Sequence, residues 1–279
     1  MKKVFIHTNN KQGIGAIISK FSIEKNLTDK DIQVEYINVD SLEIFKHFAG
    51  KTYLRNKKTV TYNPHDLQSF TLTRFMPTEL MHYSGRAVVI DPDIFSIKDI
   101  SSLFTMDLKG HAIAACRKKD AWDTSMMVLD CEKLKHWSMS KILFDLETKK
   151  ADYADIMTLK NETSVLEMPR IWNNLDKLTD DTYLLHTTNR LTQPWKTGLK
   201  IDFTRNDPGK LFNIIPKKLL LKLAGKWPSR YQRHPDTKIE TFFFNLTKQA
   251  LHAGALTKED VQKAVDTNDV RPDIFQYIA

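Results

Sequence analysis

The sequence predicts an α/β protein built on a largely parallel sheet with helices on both faces, followed by a C-terminal helical extension. Three observations lead there. Apolar runs of strand length alternate with segments of helical period through roughly the first 200 residues. Ala87 to Ile90 is a short continuous apolar run, as expected of a strand covered on both faces. After about residue 200 the texture turns helical. At 279 residues and 41% apolar, the chain can bury one full core or a core plus an extension.

The elements follow in order. Val4, Phe5 and Ile6 make a first strand, and the spacing predicts a helix from Ile14 to Phe21. Val34 to Val39 alternates as a strand with one buried face. A polar stretch, Lys51 to Asp66, leads into a periodic segment from Leu72 to Met81 that ends near Gly85. Ala87 to Ile90, Ala112 to Cys116 and Met126 to Leu129 are three further strands. Asp207, Pro208 and Gly209 punctuate the chain, so residues 1–200 read as the main domain and residues 201–279 as the extension packed on it.

Composition narrows the class. Met1, Lys2 and Lys3 lead into a short strand and then polar residues, unlike a signal peptide, and no apolar stretch approaches the ~18 residues of a membrane span. Cys116 and Cys131 lie in apolar runs and read as reduced core residues. The expectation is a soluble, cytoplasmic protein. The net charge of +8 does not point to nucleic acid, because seven Lys/Arg fall between Pro208 and Pro235 with no Asp or Glu, while the remainder mixes both signs.

The residues with chemical promise lie at the end of the Ala87 to Ile90 run. Two carboxylates one residue apart, Asp91 and Asp93, can hold a divalent metal at the tip of a buried strand, and a distant His186 can complete the set. Pro92 removes a ladder donor and ends the strand there, at the carboxyl edge where open α/β sheets bind ligands. The second such pair, Asp29 and Asp31, sits in a polar loop and reads as a solvated turn. Gly13-Ile14-Gly15 lacks the third glycine of a dinucleotide fingerprint, Ile18 standing in its place, so a small-residue turn opening a helix is the better account. There is no Gly-x-Ser-x-Gly, no phosphate loop and no His-x3-His spacing.

The order of segments resembles glycogenin-like (family 8) retaining glycosyltransferases. Asp91 to Phe95 followed by Asp99 to Phe104 is similar to that family's strand, Asp-x-Asp and Asp-Ile-x-x-Leu-Phe segment. Arg74 to Leu80 resembles its Arg-Leu-x-x-Pro-Glu-Leu helix, Met126 to Leu134 its strand with Asn/Asp-x-x-Lys, and Pro169 to Asn173 its Pro-Pro-x-Trp-Asn. His186 with Gln193, Pro194 and Trp195 resembles the closing His … Lys-Pro-Trp. The departures mark a divergent bacterial or viral subfamily: Gln193 stands at a diphosphate-binding lysine, Trp122 to Ser125 replaces Phe-Asn-x-Gly, and Asp152 and Asp155 both fall near the acidic pair.

The resemblance implies a type-A glycosyltransferase fold and a UDP-sugar donor, a hexose passing to a glycan or glycolipid acceptor with retention. It implies metal ligation by Asp91, Asp93 and His186, with Mn²⁺ favoured over Mg²⁺ for such mixed ligands. It sets Asp91, Asp93, Asp123 and Asp155 as catalytic positions, and His7, Thr8, Asn9, Arg74 and Lys196 against the nucleotide. A catalytically degenerate nucleotide-sugar or glycan-binding protein of the same fold is the alternative. Within residues 215–227, Lys218, Lys222 and Lys226 recur at helical spacing beside Leu219, Leu220, Leu223 and Trp227. That segment fits peripheral contact with the inner face of a membrane, or else a core-packed helix with solvated lysines.

Overall fold

Alternation within two adjacent strands explains how the core divides. The computed structural model describes residues 1–203, 208–211 and 215–279. In β1 (Lys2–Thr8), Val4 and Ile6 face one way and Phe5 the other; in β5 (Arg86–Ile90), Val88 and Ile90 oppose Ala87 and Val89. Each set belongs to a different apolar cluster. All of these side chains are buried, the condition for a strand covered on both faces.

The first cluster is completed by α1 (Gly13–Asn26), which buries Ala16 and Ile23 against the sheet. Gly15 lets that helix approach the strand-end turn, since a Cβ there would stand 2.9 Å from the Pro92 carbonyl oxygen. This is the physical use of the Gly13-Ile14-Gly15 run. The second cluster takes α2 (Glu43–Phe48) through Phe45 and Phe48, and α4 (Met139–Glu147) through Leu143 and Leu146.

The main sheet has six strands in the order β2 (Gln33–Asn38), β1, β5, β8 (Ala121–Asp130), β7 (Ile113–Lys118), β9 (Val165–Met168). Three of its five pairings are parallel; β8 runs against both β5 and β7. The expected strands at Ala112 to Cys116 and Met126 to Leu129 therefore form a hairpin, the antiparallel part of an otherwise parallel sheet. Lys119, with φ of 56°, makes its tight turn.

The polar stretch Lys51 to Asp66 holds a second hairpin, β3 (Thr52–Arg55) and β4 (Lys58–Thr61). The periodic segment from Leu72 to Met81 is divided between two helices. A 3-10 helix, Ser69–Phe75, gives way to the short α3 (Pro77–Leu80), because Pro77 lacks the amide that a continuing helix needs.

A small three-stranded sheet closes the carboxyl side: β10 (Asn174–Leu175), β11 (Leu184–His186) and β6 (Ile94–Ser96). Past residue 203, two short strands (Lys210–Leu211 and Ile215–Pro216) precede α6 (Lys217–Leu223). Then follow α7 (Thr237–His252), α8 (Lys258–Asp266) and α9 (Phe275–Ile278). Asp207 of the expected punctuation lies outside the described residues. Phe243, Phe244, Val261 and Ile278 from these helices share one cluster with Ile14, Ile18, Phe95 and Trp195. No described helix is long and apolar enough to cross a membrane.

Candidate metal centre and active site

Strand register brings the three expected ligands together. β5 ends at Ile90, the Asp91-Pro92-Asp93 turn follows, and β6 begins at Ile94. β11 pairs antiparallel with β6 so that His186 lies opposite Ile94, one residue past Asp93. The Thr187 amide donates to the Asp93 carbonyl at 3.0 Å and fixes this approach. Asp91, Asp93 and His186 thus offer donor atoms all within 4.8 Å of one another.

Asp93 carries the lighter load. His186 Nε2 stands 3.3 Å from its Oδ1, and Gln193 donates Nε2–H to its Oδ2 at 3.1 Å. The other amide atom of Gln193, Oε1, is buried without a protein partner. A buried oxygen of this kind beside carboxylates fits a site meant to receive a polar or cationic occupant.

Asp91 is held more tightly. Arg74 Nη2 donates to both of its oxygens, at 2.5 and 2.7 Å, and His7 Nε2–H donates to Oδ1 at 2.6 Å. Burial would raise this carboxyl, but Arg74 and His7 outweigh it and hold it well below the usual carboxylate range. Burial in turn lowers His7 despite Asp91.

His186 is oriented by a hydrogen-bonded chain. Ser125 Oγ–H donates to Asp123 Oδ1 at 2.6 Å, so Ser125 accepts the Asn173 Nδ2–H at 2.9 Å. The Asn173 oxygen then faces His186 Nδ1 at 2.9 Å and accepts its proton. Nε2 is left for the Asp93 side, the arrangement a metal-binding imidazole needs. Burial favours a neutral ring, yet Asp93, Asp91 and Asp123 together raise His186 above its ordinary value.

Asp123 and Ser125 face this centre because the β7–β8 register slips between Ala115 and Cys116, where the partner changes from Met127 to Asp123. Bulged segments of this kind re-aim side chains. Asp123 also accepts from Arg170 Nη1 at 3.0 Å. Burial works to raise its carboxyl, and Ser125, His186 and Arg170 bring it below the ordinary range.

The structure does not gather every expected residue. Asp155 lies on α5 (Tyr153–Met157), and its carboxylate accepts from Lys160 at 2.9 and 3.0 Å, apart from the Asp91 cluster. Asp152 caps α5 and binds the β3–β4 turn amides of Asn56 and Lys57. Lys196 is fully buried and reaches Asp202 at 3.1 Å under the Tyr231 ring, so its ammonium is spent there and not among the carboxylates. Trp195, 1% exposed, packs against Gly15, Phe95 and Phe243 as a rigid anchor for the closing segment.

At the first βα turn, Thr8 and Asn9 are buried. Asn9 Nδ2 donates to the carbonyls of Asp66 and Leu67 and to Ser69 Oγ, tying the turn to the segment that carries Arg74. A cleft of about 500 Å³ opens beside them, lined also by Asn10, Gly13, Tyr36 and Asn38. Sequence reasoning assigned no role to Asn173 or Ser125. Asn173 stood in the Pro169 to Asn173 segment, the one signal that could have found it.

This architecture matches solved structures. An active-site mutant of LgtC superposes with a TM-score of 0.50 at 13% identity, over 70% of this chain and 89% of that one. The glycosyltransferase GlyE of Streptococcus pneumoniae TIGR4 gives 0.50 at 14% identity, over 83% of this chain and 66% of that one. Such identities speak to fold alone, and the fold is the type-A glycosyltransferase fold. A curated relative, glycosyltransferase GlyF of Streptococcus pneumoniae serotype 4, is 32% identical over 80 residues, 26% of this chain. The match spans 20% of that relative's length. The model of glycosyl transferase family 8 covers residues 2–160, more than half of the chain, which belongs to that family.

Proposed function

We propose that the protein is a metal-dependent glycosyltransferase moving a hexose from a nucleoside diphosphate sugar, a UDP-sugar in our reading, to a glycan or lipid-linked acceptor. The observation that carries this reading is the convergence of Asp91, Asp93 and His186 in a family 8 chain. Two carboxylates and an imidazole suit Mn²⁺, with Mg²⁺ second, and the unpartnered Gln193 oxygen is consistent with such an occupant. When bound, the metal supplies Lewis-acid stabilisation of charge on the leaving diphosphate.

The protein's own groups have distinct tasks in this reading. Arg74 keeps Asp91 ionised, and Asn173 keeps His186 Nε2 open. His7, Thr8 and Asn9 border the nucleoside, while Asp123 borders the transferred sugar. No enzyme nucleophile faces the centre from Asp155, whose carboxylate is paired with Lys160. Retention then follows from attack on the leaving-group face: the sugar–phosphate bond breaks, the acceptor oxygen bonds to the same carbon, and the departing phosphate oxygen takes the acceptor proton. Residues 1–200 carry the donor site, and residues 201–279 form the extension, with α6 meeting an anionic lipid surface on the cytoplasmic side.

The Arg74 clasp on Asp91 favours one other reading: the site is charge-compensated without a metal, as in a degenerate binding protein of the same fold. A donor screen with Mn²⁺, scoring release of nucleoside diphosphate, separates the two. Release that is lost in Asp93→Ala supports the enzyme. Binding without release across the donors supports the binding protein.

A further inference from the structure

A second, smaller cleft lies beside the centre. Tyr53 and Arg55 of β3, Tyr62, Gln68, Tyr153 and Arg190 line a space of about 190 Å³. We infer that this cleft binds a phosphate-class oxyanion between the guanidinium groups of Arg55 and Arg190.

Charge is the first argument. Among the described residues, Arg74, Arg170 and Arg271 each meet a carboxylate, whereas Arg55 and Arg190 form no ion pair. Asp66 also lines the cleft, with its Oδ1 accepting the Gln68 amide at 2.8 Å. Two cations facing one small space repel. Burial first, and then the neighbouring Arg55, lower Arg190 from its ordinary value, and the Asp66 carboxylate offsets them only in part. An anion between them relieves that repulsion.

Preorganisation is the second. The Arg55 guanidinium lies over the Tyr153 ring at 4.7 Å, and that of Arg190 over Phe203 at 4.5 Å. Arg190 Nη1 also donates to Gln68 Oε1 at 2.8 Å. Stacked this way, a guanidinium keeps edge N–H donors free for a tetrahedral oxyanion, at little further loss of rotamer freedom. The volume limits the ligand, because pockets for whole drug-sized molecules run from about 300 Å³ upward. A phosphoryl group fits; a sugar nucleotide does not fit entire.

The cleft is joined to the metal centre. Tyr153 and Thr71 share a hydrogen bond of 2.8 Å, and Arg74 bonds Thr124, which donates to the Met157 carbonyl on the same helix, α5. Arg190 lies between His186 and Gln193 in sequence. The phosphoryl group therefore has two sources: the diphosphate of the donor, or a phosphate carried by the acceptor. The anion site does not need the metal reading to hold; only the choice between sources rests on the proposed transferase activity.

Calorimetric titration of the full chain with inorganic phosphate, in chelator so that no metal contributes, tests it. Wild type is expected to bind phosphate under these metal-free conditions. The Arg55→Gln/Arg190→Gln double variant should bind about tenfold or more weakly at unchanged melting temperature, as expected for losing charge-assisted bonds. Arg190→Lys should retain part of the affinity, which guards against misreading a folding defect. No phosphate binding by wild type, or equal binding by the folded double variant, overturns the inference. Repeating the titration on protein saturated with UDP and Mn²⁺ assigns the source: competition marks the donor's diphosphate, and additive binding marks an acceptor phosphate. Failure of UDP to bind would count against the donor assignment alone.

Discussion

The Arg74 guanidinium grips the Asp91 carboxylate through both oxygens, with Nη2 at 2.5 Å from one and 2.7 Å from the other, and both side chains almost wholly buried. Removing one partner of such a pair strands the other charge in a low-dielectric site. Asp91→Asn should therefore destabilise the protein by about 3–5 kcal/mol, measured by denaturant unfolding. Because folding depresses the Asp91 carboxyl, its contribution is present above the unfolded-state value near 3.9 and fades as pH falls through the folded-state value. The wild-type advantage over Asp91→Asn should thus be full at neutral pH and shrink in strong acid. An advantage independent of pH would remove Arg74–Asp91 as its source.

The Asn173 oxygen fixes which nitrogen of His186 carries a proton. Asn173→Ala should leave the fold intact and weaken Mn²⁺ binding about 10–100-fold, the usual cost of losing a group that orients a ligand. Asn173→Asp, which keeps an acceptor at the same place, should recover most of the affinity. Calorimetry with Mn²⁺ on the three proteins decides, and a folded Asn173→Ala protein with wild-type affinity would sink the assignment.

His186 is held above its ordinary value by Asp93, Asp91 and Asp123 against the opposing effect of burial. A metal must displace that proton, so Mn²⁺ affinity should rise with pH through the interval above about 6.5 and then level off. Binding at the lower end should release a proton, visible as a buffer-dependent heat. Affinity that is flat across this range would mean that His186 is neutral or not a ligand.

The centre was legible where its residues are close in sequence or sit in a patterned segment. The buried run Ala87 to Ile90 with Asp91 and Asp93 announced itself, and His186 came with Pro194 and Trp195. Asp123 was named, but what aims it is a register slip in β8, which depends on pairing with β7 and leaves no mark in one strand's own pattern. Lys196 shows how sequence position and spatial placement can part. Position next to Trp195 suggested a phosphate ligand, yet the chain folds Asp202 and Tyr231 around its ammonium. The antiparallel turn-back between Ala112 and Leu129 was not legible, since periodicity gives strands but no direction.

Lys196 accordingly should matter for stability more than for nucleotide binding. Lys196→Ala removes a fully buried stem and leaves the Asp202 carboxylate with the Tyr231 hydroxyl but no countercharge, which should cost about 3 kcal/mol in denaturant unfolding. The folded fraction should bind nucleoside diphosphate as wild type does. Loss of that affinity at unchanged stability would return Lys196 to the phosphate site.

The helix α6 presents leucines that the fold leaves uncovered. Leu219, Leu220 and Leu223 are 53%, 39% and 78% exposed, and no residue of the helix is buried. The core-packed alternative raised by the sequence is therefore not what the described residues form. The helix is also shorter than the spacing suggested: it ends at Leu223, and Gly225, with φ of +67°, separates Lys226 from the row of Lys218 and Lys222. Exposed leucines beside lysines match an anionic lipid surface, where each lysine contributes about 1 kcal/mol. The full chain should co-sediment with phosphatidylserine vesicles at low salt and detach at high salt as screening shortens the reach of its charges. Leu223→Asp should weaken the association several-fold, about what losing one buried leucine and adding one repelled charge predicts, while Leu80→Asp, an exposed leucine far along the chain, should not. Absence of vesicle binding at low salt would leave α6 a solvated helix and end the membrane assignment.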